Sequence, residues 1–275
     1  MPGQIKRMVK AYLVNKQICK LQPYLRNIMM QKVWVQDLGN IEYGKAWDLQ
    51  ESLLKQNLEK KSLWFGKSDE ERPADIGTKN YLFFCEHPSV YTLGKSGHME
   101  NLLVNDSRLK ELDVSFYKTN RGGDITYHGP GQVVGYPILD LEKFFTDLGK
   151  YMRFLEEVII RAIAPFGIKG DRLEGSTGVW LDVGTPDARK ICAMGVRCSR
   201  WVTMHGFALN VNTDLRYFDY IVPCGITDKG VTSIQKEVGH PVDEAEVKQN
   251  IRAAFEEVFG AELAENELNE LLTVA

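Results

Sequence analysis

The sequence predicts an α+β fold, in which helices pack on a mixed, mainly antiparallel sheet. Strand-like segments and amphipathic helices are interspersed along the 275 residues, a length that suffices for a substantial hydrophobic core. Several neighbouring strand-like segments are joined by connections too short for a parallel crossover, which favours antiparallel pairing. Nothing after Met30 resembles a linker, so we expect one domain rather than two.

The first half of the chain is predicted to contain one helix and six short strands. Residues 41–60 place Tyr43, Trp47, Leu54 and Leu58 on one stripe, which indicates an amphipathic helix. The strand-like segments are rich in β-branched and aromatic residues or are continuously apolar. They are Val33–Asp37, Tyr81–Cys85, Val90–Leu93, Phe116–Lys118, Asp124–Tyr127 and Val133–Leu139.

The second half is predicted to contain two helices and three strands. The clearest helical pattern is Tyr151–Phe166, with Gly167 at the position of a C-terminal cap. A second helix begins behind Asp243, because Glu246 three residues later completes a capping-box pattern. We expect that helix to bury Val247, Ile251, Phe255 and Val258. The strands are Gly178–Leu181 and a hairpin of Lys190–Arg200 with Val202–Asn212. The acidic residues Glu262–Glu270 are expected to form a frayed helix.

Charges are distributed unevenly, although the net charge is only −3. Residues 1–32 hold seven bases and no acid, which leaves 27 of the 34 bases and all 37 acids for the remaining chain. This leader has no serine, and it lacks the apolar core of a secretory signal, so a targeting peptide is the less favoured interpretation. We interpret it as an extension upstream of a natural start at Met29 or Met30.

Composition argues against several classes of function. No apolar run approaches the roughly 20 residues that span a bilayer, and the acidic body lacks a basic stripe for nucleic acid. The five cysteines form neither a C-x-x-C pair nor an even framework, so the sequence indicates no zinc site and no disulfide scaffold. We therefore expect a protein of the reducing cytoplasm that binds no metal, no membrane and no nucleic acid.

A glycine-rich segment runs from Arg121 to Leu141 and reads RGGDITYHGPGQVVGYPILDL. It matches neither the phosphate-binding loop nor the dinucleotide-binding pattern. Glycines at this density allow a backbone to approach another group closely. We predict that the segment lines an extended, narrow groove.

Cys224 differs from the other cysteines because it lies in a chain reversal, Val222-Pro223-Cys224-Gly225. Only a few per cent of a free thiol is ionised at neutral pH, so a working nucleophile needs a nearby cation or dipole. The local context leaves open whether Cys224 is a nucleophile or a turn residue. The other cysteines are interpreted as buried hydrophobes or, for the first, as part of the leader: Cys85, Cys192, Cys198 and Cys19.

Lys190 opens the strand-like run KICAMGVRC, in which regular alternation would place it on the face of Cys192, Met194 and Val196. A lysine on an apolar face is costly unless it is paired or used in chemistry. An ordinary solvated lysine is the alternative. Three histidines are candidates for a Cys–His pair or for structural hydrogen bonding: His87, His128 and His205.

Four motifs, in this order, resemble the octanoyltransferase family, the lipoyl(octanoyl) transferases of protein lipoylation. They are R-G-G-x-x-T-Y-H-G-P-G-Q with Y-P-I-L-D-L, then K-I-C-A-M-G-V-R, then H-G-F-A-L-N-V-N, then P-C-G-I. The resemblance runs from about Val33 to Phe259. Any one motif is weak evidence, but their common order makes the resemblance specific.

The resemblance implies a fold like the catalytic domain of biotin and lipoate protein ligases. It also implies a ping-pong reaction, in which octanoyl passes from octanoyl-acyl carrier protein to an enzyme thioester and then to a lysine. Cys224 would be the nucleophile, and Lys190 would lower the pKa of that thiol and shuttle its proton. Because the donor is already a thioester, neither ATP nor a cofactor is needed.

The acceptors that the resemblance implies are lipoyl domains of 2-oxoacid dehydrogenases and the glycine cleavage H protein. The substrate-binding residues that it implies are Arg121, Gly122, Gly123, Asp124, Ile125, Thr126, Tyr127, His128, Ala193, Met194, Gly195, Gly206, Phe207 and Ala208. The catalytic domain would comprise residues 33–260, between the basic extension 1–32 and the acidic tail 261–275. An acidic carrier protein needs a basic patch on this acidic body. Candidates for that patch are Lys143, Lys150, Arg153, Arg197 and Arg200.

Three other functions compete with this interpretation. An ATP-dependent lipoate–protein ligase of the same fold would need adenylate-binding groups and no nucleophilic cysteine. A non-catalytic protein that binds lipoyl domains would be expected to lack Cys224 or Lys190, and both are present. A generic cysteine hydrolase would leave the ordered motifs unexplained.

Overall fold

The computed structural model describes residues 30–68, 71–73, 75–222 and 229–265. The strands are β1 Gln31–Asn40, β2 Asn80–Glu86, β3 Val90–Leu93, β4 Ser115–Lys118, β5 Ile125–His128, β6 Gln132–Ile138, β7 Asp171–Leu173, β8 Ser176–Leu181, β9 Arg189–Ser199, β10 Val202–Asn210, β11 Gly230–Val231 and β12 Ala261–Glu265. The α-helices are α1 Tyr43–Ser62, α2 Asp106–Glu111, α3 Leu148–Ile163, α4 Ile234–Val238 and α5 Glu244–Phe259. All strands and helices predicted before residue 260 are therefore present, with bounds shifted by a few residues.

The strands form a nine-stranded sheet and a separate three-stranded sheet. The larger sheet has the order β12-β1-β2-β6-β10-β9-β8-β7, with β11 beside β9, and the smaller one has the order β4-β3-β5. In the larger sheet β12, β1 and β2 run parallel, as do β11 and β9, whereas all other neighbours are antiparallel. The predicted α+β class with a mixed, mainly antiparallel sheet is confirmed.

The larger sheet is covered on both faces, so its central strands are buried throughout. One face packs on α3 and α5, where Leu155 and Phe255 meet Val133 and Leu209 of the sheet. The other face packs on α1, which contributes Leu49 and Leu53 to a cluster with Val134, Tyr136 and Ala208. A third cluster links the smaller sheet to the 3₁₀ turn Leu215–Tyr220. The two faces of the larger sheet thus belong to different hydrophobic clusters. The face toward α1 also borders the candidate site.

The long helices begin and end where their terminal residues satisfy the free backbone groups. Asp147 accepts a hydrogen bond from the Lys150 N–H at the start of α3, and Asp243 accepts one from the Ala245 N–H at the start of α5. Gly260 ends α5 in a left-handed conformation, with φ of 59°. Within the described ranges, no helix is both long enough and apolar enough to cross a bilayer.

The predicted hairpin is present as β9 and β10, but β9 contains an irregularity opposite β8 that the sequence did not reveal. Trp180 of β8 pairs with Lys190, whereas Val179 pairs with Cys192, so β9 carries one extra residue at this point. Ile191 and Cys192 both face α3 and α5, and Lys190 points to the opposite side. The prediction that Lys190 shares a face with Cys192 is wrong, because the β-bulge interrupts the alternation.

The prediction of a frayed helix after residue 261 is also wrong for the residues that the structure describes. Ala261–Glu265 form β12, which pairs in parallel with β1 from Gln31 to Val35. Ala261 is fully buried, and the Leu263 N–H donates to Glu256 Oε1 at 2.8 Å. The left-handed Gly260 turns the chain onto an edge of the sheet that would otherwise be unpaired. Residues 266–270 of this prediction, like residues 1–29, lie outside the described residues.

Candidate active site

A cavity, which we call the inner cavity, lies between the larger sheet, the smaller sheet and α1. Its lining includes Lys190 and twelve of the fourteen residues that were predicted to bind substrate. These twelve are Arg121, Gly123, Asp124, Ile125, Thr126, His128, Ala193, Met194, Gly195, Gly206, Phe207 and Ala208. Segments separated by up to 87 positions in the chain therefore meet in one place. Their role in substrate binding stays a prediction.

The remaining two predicted residues lie elsewhere. Tyr127 alternates with Thr126 and His128 on β5, so its ring points into the third cluster. There it stacks on Tyr217 at 4.7 Å, and its hydroxyl lies 3.0 Å from Ser89 Oγ. Gly122 lines an open cleft beside the inner cavity, which we call the outer cleft. Five residues line both spaces: Gly123, Asp124, Lys190, Met194 and Gly195.

Arg121 holds the glycine loop 121–124 against the smaller sheet. Its Nη2 donates to the Thr92 carbonyl at 2.6 Å, to Thr92 Oγ1 at 2.9 Å and to the Asp124 carbonyl at 2.8 Å. Its Nη1 donates to the Gly122 carbonyl at 3.0 Å, and the Gly122 N–H donates to the Val196 carbonyl of β9 at 2.9 Å. A guanidinium is suited to such multiple contacts because it presents several donors in a fixed plane. Arg121 thus joins the two sheets at one wall of the inner cavity.

A chain of hydrogen bonds continues from Thr92 through the buried His128. The Thr92 hydroxyl, which accepts from the guanidinium, is left to donate to His128 Nε2 at 3.3 Å. His128 Nδ1–H donates to Gln132 Oε1 at 2.9 Å, and Gln132 Nε2 donates to Asn210 Oδ1 at 2.9 Å. Asn210 Nδ2 ends the chain at the Thr232 carbonyl, at 3.0 Å. Every group donates in the same direction, which fixes His128 as a neutral ring. Burial, together with the positive charge of Arg121, holds the pKa of His128 at about 3.

The other two candidate histidines, His205 and His87, are also neutral and hydrogen-bonded. His205 Nε2–H donates to Asn120 Oδ1 at 2.7 Å, and burial lowers the pKa of His205 to about 3. His87 donates through Nδ1 to the Ile41 carbonyl at 2.7 Å and accepts from the Tyr136 hydroxyl at 2.7 Å. Burial lowers the pKa of His87 as well. The hydrogen bonds of these histidines agree with a structural role rather than with a Cys–His pair.

Lys190 occupies the junction of the inner cavity and the outer cleft. The residue is buried, with 8% of its surface exposed, and its Nζ lies 4.7 Å from the centre of the Trp180 ring. Its aliphatic stem runs past Gly178, where an added Cβ would lie 3.5 Å from Lys190 Cε. Lys190 is therefore not an ordinary solvated surface lysine.

Cys224 lies outside the described residues, but the segments that flank it do not. The Val222 N–H donates to the Asn101 carbonyl in the outer cleft at 2.8 Å. After the gap, Val231 pairs with Lys190, and the Thr232 N–H donates to the Lys190 carbonyl at 3.0 Å. The described residues on either side of Cys224 are thus held at two places, Val222 at Asn101 in the outer cleft and Val231 and Thr232 at Lys190. The described cysteines, Cys85, Cys192 and Cys198, have thiol pKa values raised by burial, which agrees with their interpretation as structural residues.

The glycines of the segment pack mainly against the protein itself. An added Cβ would lie 1.9 Å from the Tyr127 hydroxyl at Gly129, 2.6 Å from Asn212 at Gly131 and 2.1 Å from the Phe207 ring at Gly135. Only Gly122 and Gly123 belong to the loop beside the two spaces. Close packing between strands, rather than access for a ligand, therefore explains most of this glycine density.

Three residues of the predicted basic patch are neutralised by neighbouring acids. Lys143 pairs with Asp75 at 2.9 Å, Arg153 with Glu156 at 2.8 Å and Arg197 with Glu51 at 2.7 Å. The other two lie against aromatic rings, Lys150 on Phe145 and Phe154, and Arg200 on Phe65. The five side chains do not form one patch of uncompensated charge.

Several residues of the site were not identified from the sequence. Tyr43, Val134 and Tyr136 line the inner cavity, and Trp180 packs over Lys190. Tyr136 belongs to the motif Y-P-I-L-D-L, but the sequence predicts only that it lies in a buried strand. Tyr43 belongs to α1 and enters the site through packing between distant segments, which no local pattern reveals.

Comparison with known proteins gives a consistent family. Residues 42–256 match the family model of the lipoyl protein ligase A/B catalytic domain. An octanoyltransferase of Flavobacterium johnsoniae is 58% identical over 236 residues, which cover 86% of this chain and 100% of that protein. An octanoyltransferase of Christiangramia forsetii is 56% identical over 236 residues, covering 86% and 99%.

Solved structures of the same fold have much lower sequence identity. A bipartite lipoate protein ligase of Thermoplasma acidophilum superposes with a TM-score of 0.62 at 17% identity, covering 90% of each chain. A lipoate-protein ligase A bound with ATP superposes with a TM-score of 0.61 at 17% identity, covering 90% of this chain and 92% of that one. At this identity the likeness concerns the fold alone.

Proposed function

The chain belongs to the lipoyl protein ligase A/B catalytic-domain family, and we propose that it carries out octanoyl transfer in protein lipoylation through a thioester on Cys224. The observation that carries the proposal is the position of Lys190. It lies buried where the inner cavity meets the outer cleft, and Val231, which follows Cys224 in the chain, pairs with it. A cation beside a cysteine is the arrangement that a thiol nucleophile requires.

The inner cavity would hold the acyl chain, and the outer cleft would admit the two partners in turn. In the inner cavity the octanoyl group would lie against Ala193, Ala208 and Val134, where methylene burial contributes about 0.8 kcal/mol per CH₂. The outer cleft opens to solvent and carries Met152 and Met194, whose flexible side chains adapt to different surfaces. We infer that octanoyl-acyl carrier protein and the lipoyl domain approach Lys190 through this cleft.

In the first step, Cys224 Sγ attacks the carbonyl carbon of the donor thioester. A bond forms between that carbon and Sγ, and the bond to the sulfur of the carrier protein breaks. The proton of the Cys224 thiol passes through Lys190 to the departing thiolate. The bonds exchanged are of the same kind, so no ATP is consumed.

In the second step, the lysine amine of the lipoyl domain attacks the thioester on the enzyme. An amide bond forms, the bond between the octanoyl carbon and Cys224 Sγ breaks, and the amine proton returns through Lys190 to the thiolate. We propose the lipoyl domains of 2-oxoacid dehydrogenases and the glycine cleavage H protein as acceptors. Both bring an exposed lysine to the enzyme, and this lysine has to reach the junction that Lys190 occupies.

The proposal is tested by mixing the enzyme with octanoyl-acyl carrier protein and a purified lipoyl domain without ATP. We expect the mass of the lipoyl domain to increase by one octanoyl group, and a domain whose acceptor lysine is replaced by arginine to remain unmodified. Modification that requires ATP and free octanoate would contradict the proposal and indicate a ligase.

A further inference from the structure

Three small residues on adjacent strands form a straight row on the floor of the inner cavity. Ala193 of β9 is the register partner of Ala208 of β10, and Ala208 is the partner of Val134 of β6. Register partners of antiparallel strands project from the same face of a sheet. All three residues line the inner cavity, so the row crosses the strands at right angles beneath it.

The neighbouring glycine pair does not provide a second path along the strands. Gly195 and Gly206 are also register partners, but protein atoms already occupy the space above them. An added Cβ would lie 2.7 Å from the Gly122 carbonyl at Gly195 and 2.1 Å from the Gly135 carbonyl at Gly206. A chain of methylenes is thicker than a Cβ and would clash more severely. The open direction is therefore across the strands, from Ala193 toward Val134.

The row ends at a wall of aromatic side chains. The next position across the sheet is Cys85 of β2, the register partner of Val134, and it is fully buried. His87 lies 3.5 Å from the Cys85 sulfur and accepts a hydrogen bond from Tyr136 at 2.7 Å. The Tyr43 ring meets the His87 ring edge-on at 5.3 Å. Tyr43, Val134 and Tyr136 line the inner cavity, whereas Cys85 and His87 stand behind that lining.

The length of this row matches an eight-carbon acyl chain. Two inter-strand spacings separate Ala193 from Val134, a distance of about 9.5 Å. An extended octanoyl group has seven C–C bonds, each advancing about 1.3 Å as the projection of a single bond of about 1.5 Å, and so spans about 9 Å. Given the proposed octanoyl transfer, we propose that the row Ala193–Ala208–Val134 measures the acyl chain and that Val134 sets its maximum length.

Substitution of Val134 by alanine tests this assignment, with a matched control on the same strand. Val133 and Val134 are both almost fully buried, but Val133 faces α3 and α5 instead of the inner cavity. We expect Val134→Ala to raise the ratio of decanoyl to octanoyl acylation by about fourfold for each methylene that it accommodates. Val133→Ala is expected to leave that ratio unchanged, although it also removes two buried methyl groups.

A second variant blocks the row from its centre. Ala208→Val adds two methyl groups above β10, so octanoyl acylation should fall at least roughly tenfold relative to butanoyl acylation. The butanoyl group spans only about 4 Å and ends before Ala208, since it has three C–C bonds. Ala208→Val tests the same row of residues if Val134→Ala does not fold.

The readout is the rate at which the enzyme is acylated by acyl-carrier thioesters of graded length, followed by intact mass. The proposed role of the row is supported if the preference for acyl chain length changes in Val134→Ala and Ala208→Val but not in Val133→Ala. If the wild type forms the octanoyl adduct but both row variants keep its preference for acyl chain length, the row does not measure the chain. Octanoyl transfer would be unaffected by that result. Absence of any acyl adduct on the wild-type enzyme would overturn both.

Discussion

Acidification is expected to destabilise the fold through His128, because this ring is neutral and buried in the folded protein. In the hydrogen-bond chain His128 Nδ1–H donates to Gln132, and Nε2 accepts from Thr92, so a second proton on the ring would break one of these bonds. Its pKa of about 3 in the folded state lies far below the value near 6.5 of an unfolded chain.

The sign and the size of the effect follow from proton linkage. Between the folded and unfolded pKa values the unfolded chain binds more protons, so the free energy of unfolding rises with pH and falls on acidification. From pH 7 to pH 5, a histidine that stays neutral only when folded lowers the free energy of unfolding by about 2 kcal/mol. His205, with a pKa of about 3, adds a similar loss, and His87 contributes in the same direction.

The assay compares urea unfolding of the wild type and His128→Gln at several pH values between 5 and 7. We expect the variant to be less stable at pH 7, but to lose about 2 kcal/mol less on acidification than the wild type. His240→Gln is the control, because it makes the same substitution at an exposed position outside the hydrogen-bond chain. Equal pH dependence in the wild type and His128→Gln would refute the neutral, buried state of this histidine.

Three further substitutions have expected outcomes. If Lys190 activates Cys224 as proposed, Lys190→Ala should slow the alkylation of Cys224 by iodoacetamide near neutral pH, because the thiolate would lose a stabilising cation; unchanged alkylation would show that Lys190 does not activate the thiol. Lys61→Met should lower the free energy of unfolding by about 3–5 kcal/mol in chemical denaturation, since Asp140 would remain buried without the ammonium that it accepts from at 2.6 Å. Gly135→Ala should cost at least about 1–3 kcal/mol in the same measurement, because its Cβ would lie 2.1 Å from an aromatic ring.

Matched controls separate these effects from general ones. Lys55→Met removes a lysine that is 78% exposed and 4.0 Å from Glu59, so its cost should stay within about 0.5 kcal/mol. Gly149→Ala lies in the first turn of α3, where alanine is the better helix former and its Cβ would lie 3.3 Å from the Asp147 side chain, so its cost should stay well below that of Gly135→Ala. Equal costs for the buried and exposed lysines, or for the two glycines, would contradict the packing described here.

Local sequence patterns predicted the secondary structure correctly where the spacing of apolar residues reflected which side chains are buried. Two closely spaced runs of residues suited to strands predicted the β9–β10 hairpin, and the stripe of Tyr151–Phe166 predicted α3 with its following 3₁₀ turn. The failures arose where long-range pairing decided the outcome. Ala261–Glu265 has no strong strand preference, and it becomes β12 because β1 offers an unpaired edge.

The sequence motifs predicted most of the residues that line the candidate site, but not how their side chains are oriented. Lys190 and most of the predicted binding residues meet in one cavity, but the orientation of each side chain depended on features invisible in the sequence. One extra residue in β9 moves Lys190 to the face opposite Cys192, and alternation in β5 turns Tyr127 away from the cavity. Tyr43 joins the site only because α1 packs across the sheet. No local pattern places groups from such distant segments side by side.

Catalysis through Cys224 requires a covalent octanoyl thioester on the enzyme, which intact mass spectrometry detects. The enzyme is incubated with octanoyl-acyl carrier protein in the absence of an acceptor, and its mass is recorded beside that of Cys224→Ala. We predict that the wild type gains one octanoyl group and that the variant gains none. A wild-type enzyme that transfers octanoyl yet never carries the adduct, or equal labelling of the variant, would contradict catalysis through a thioester on Cys224.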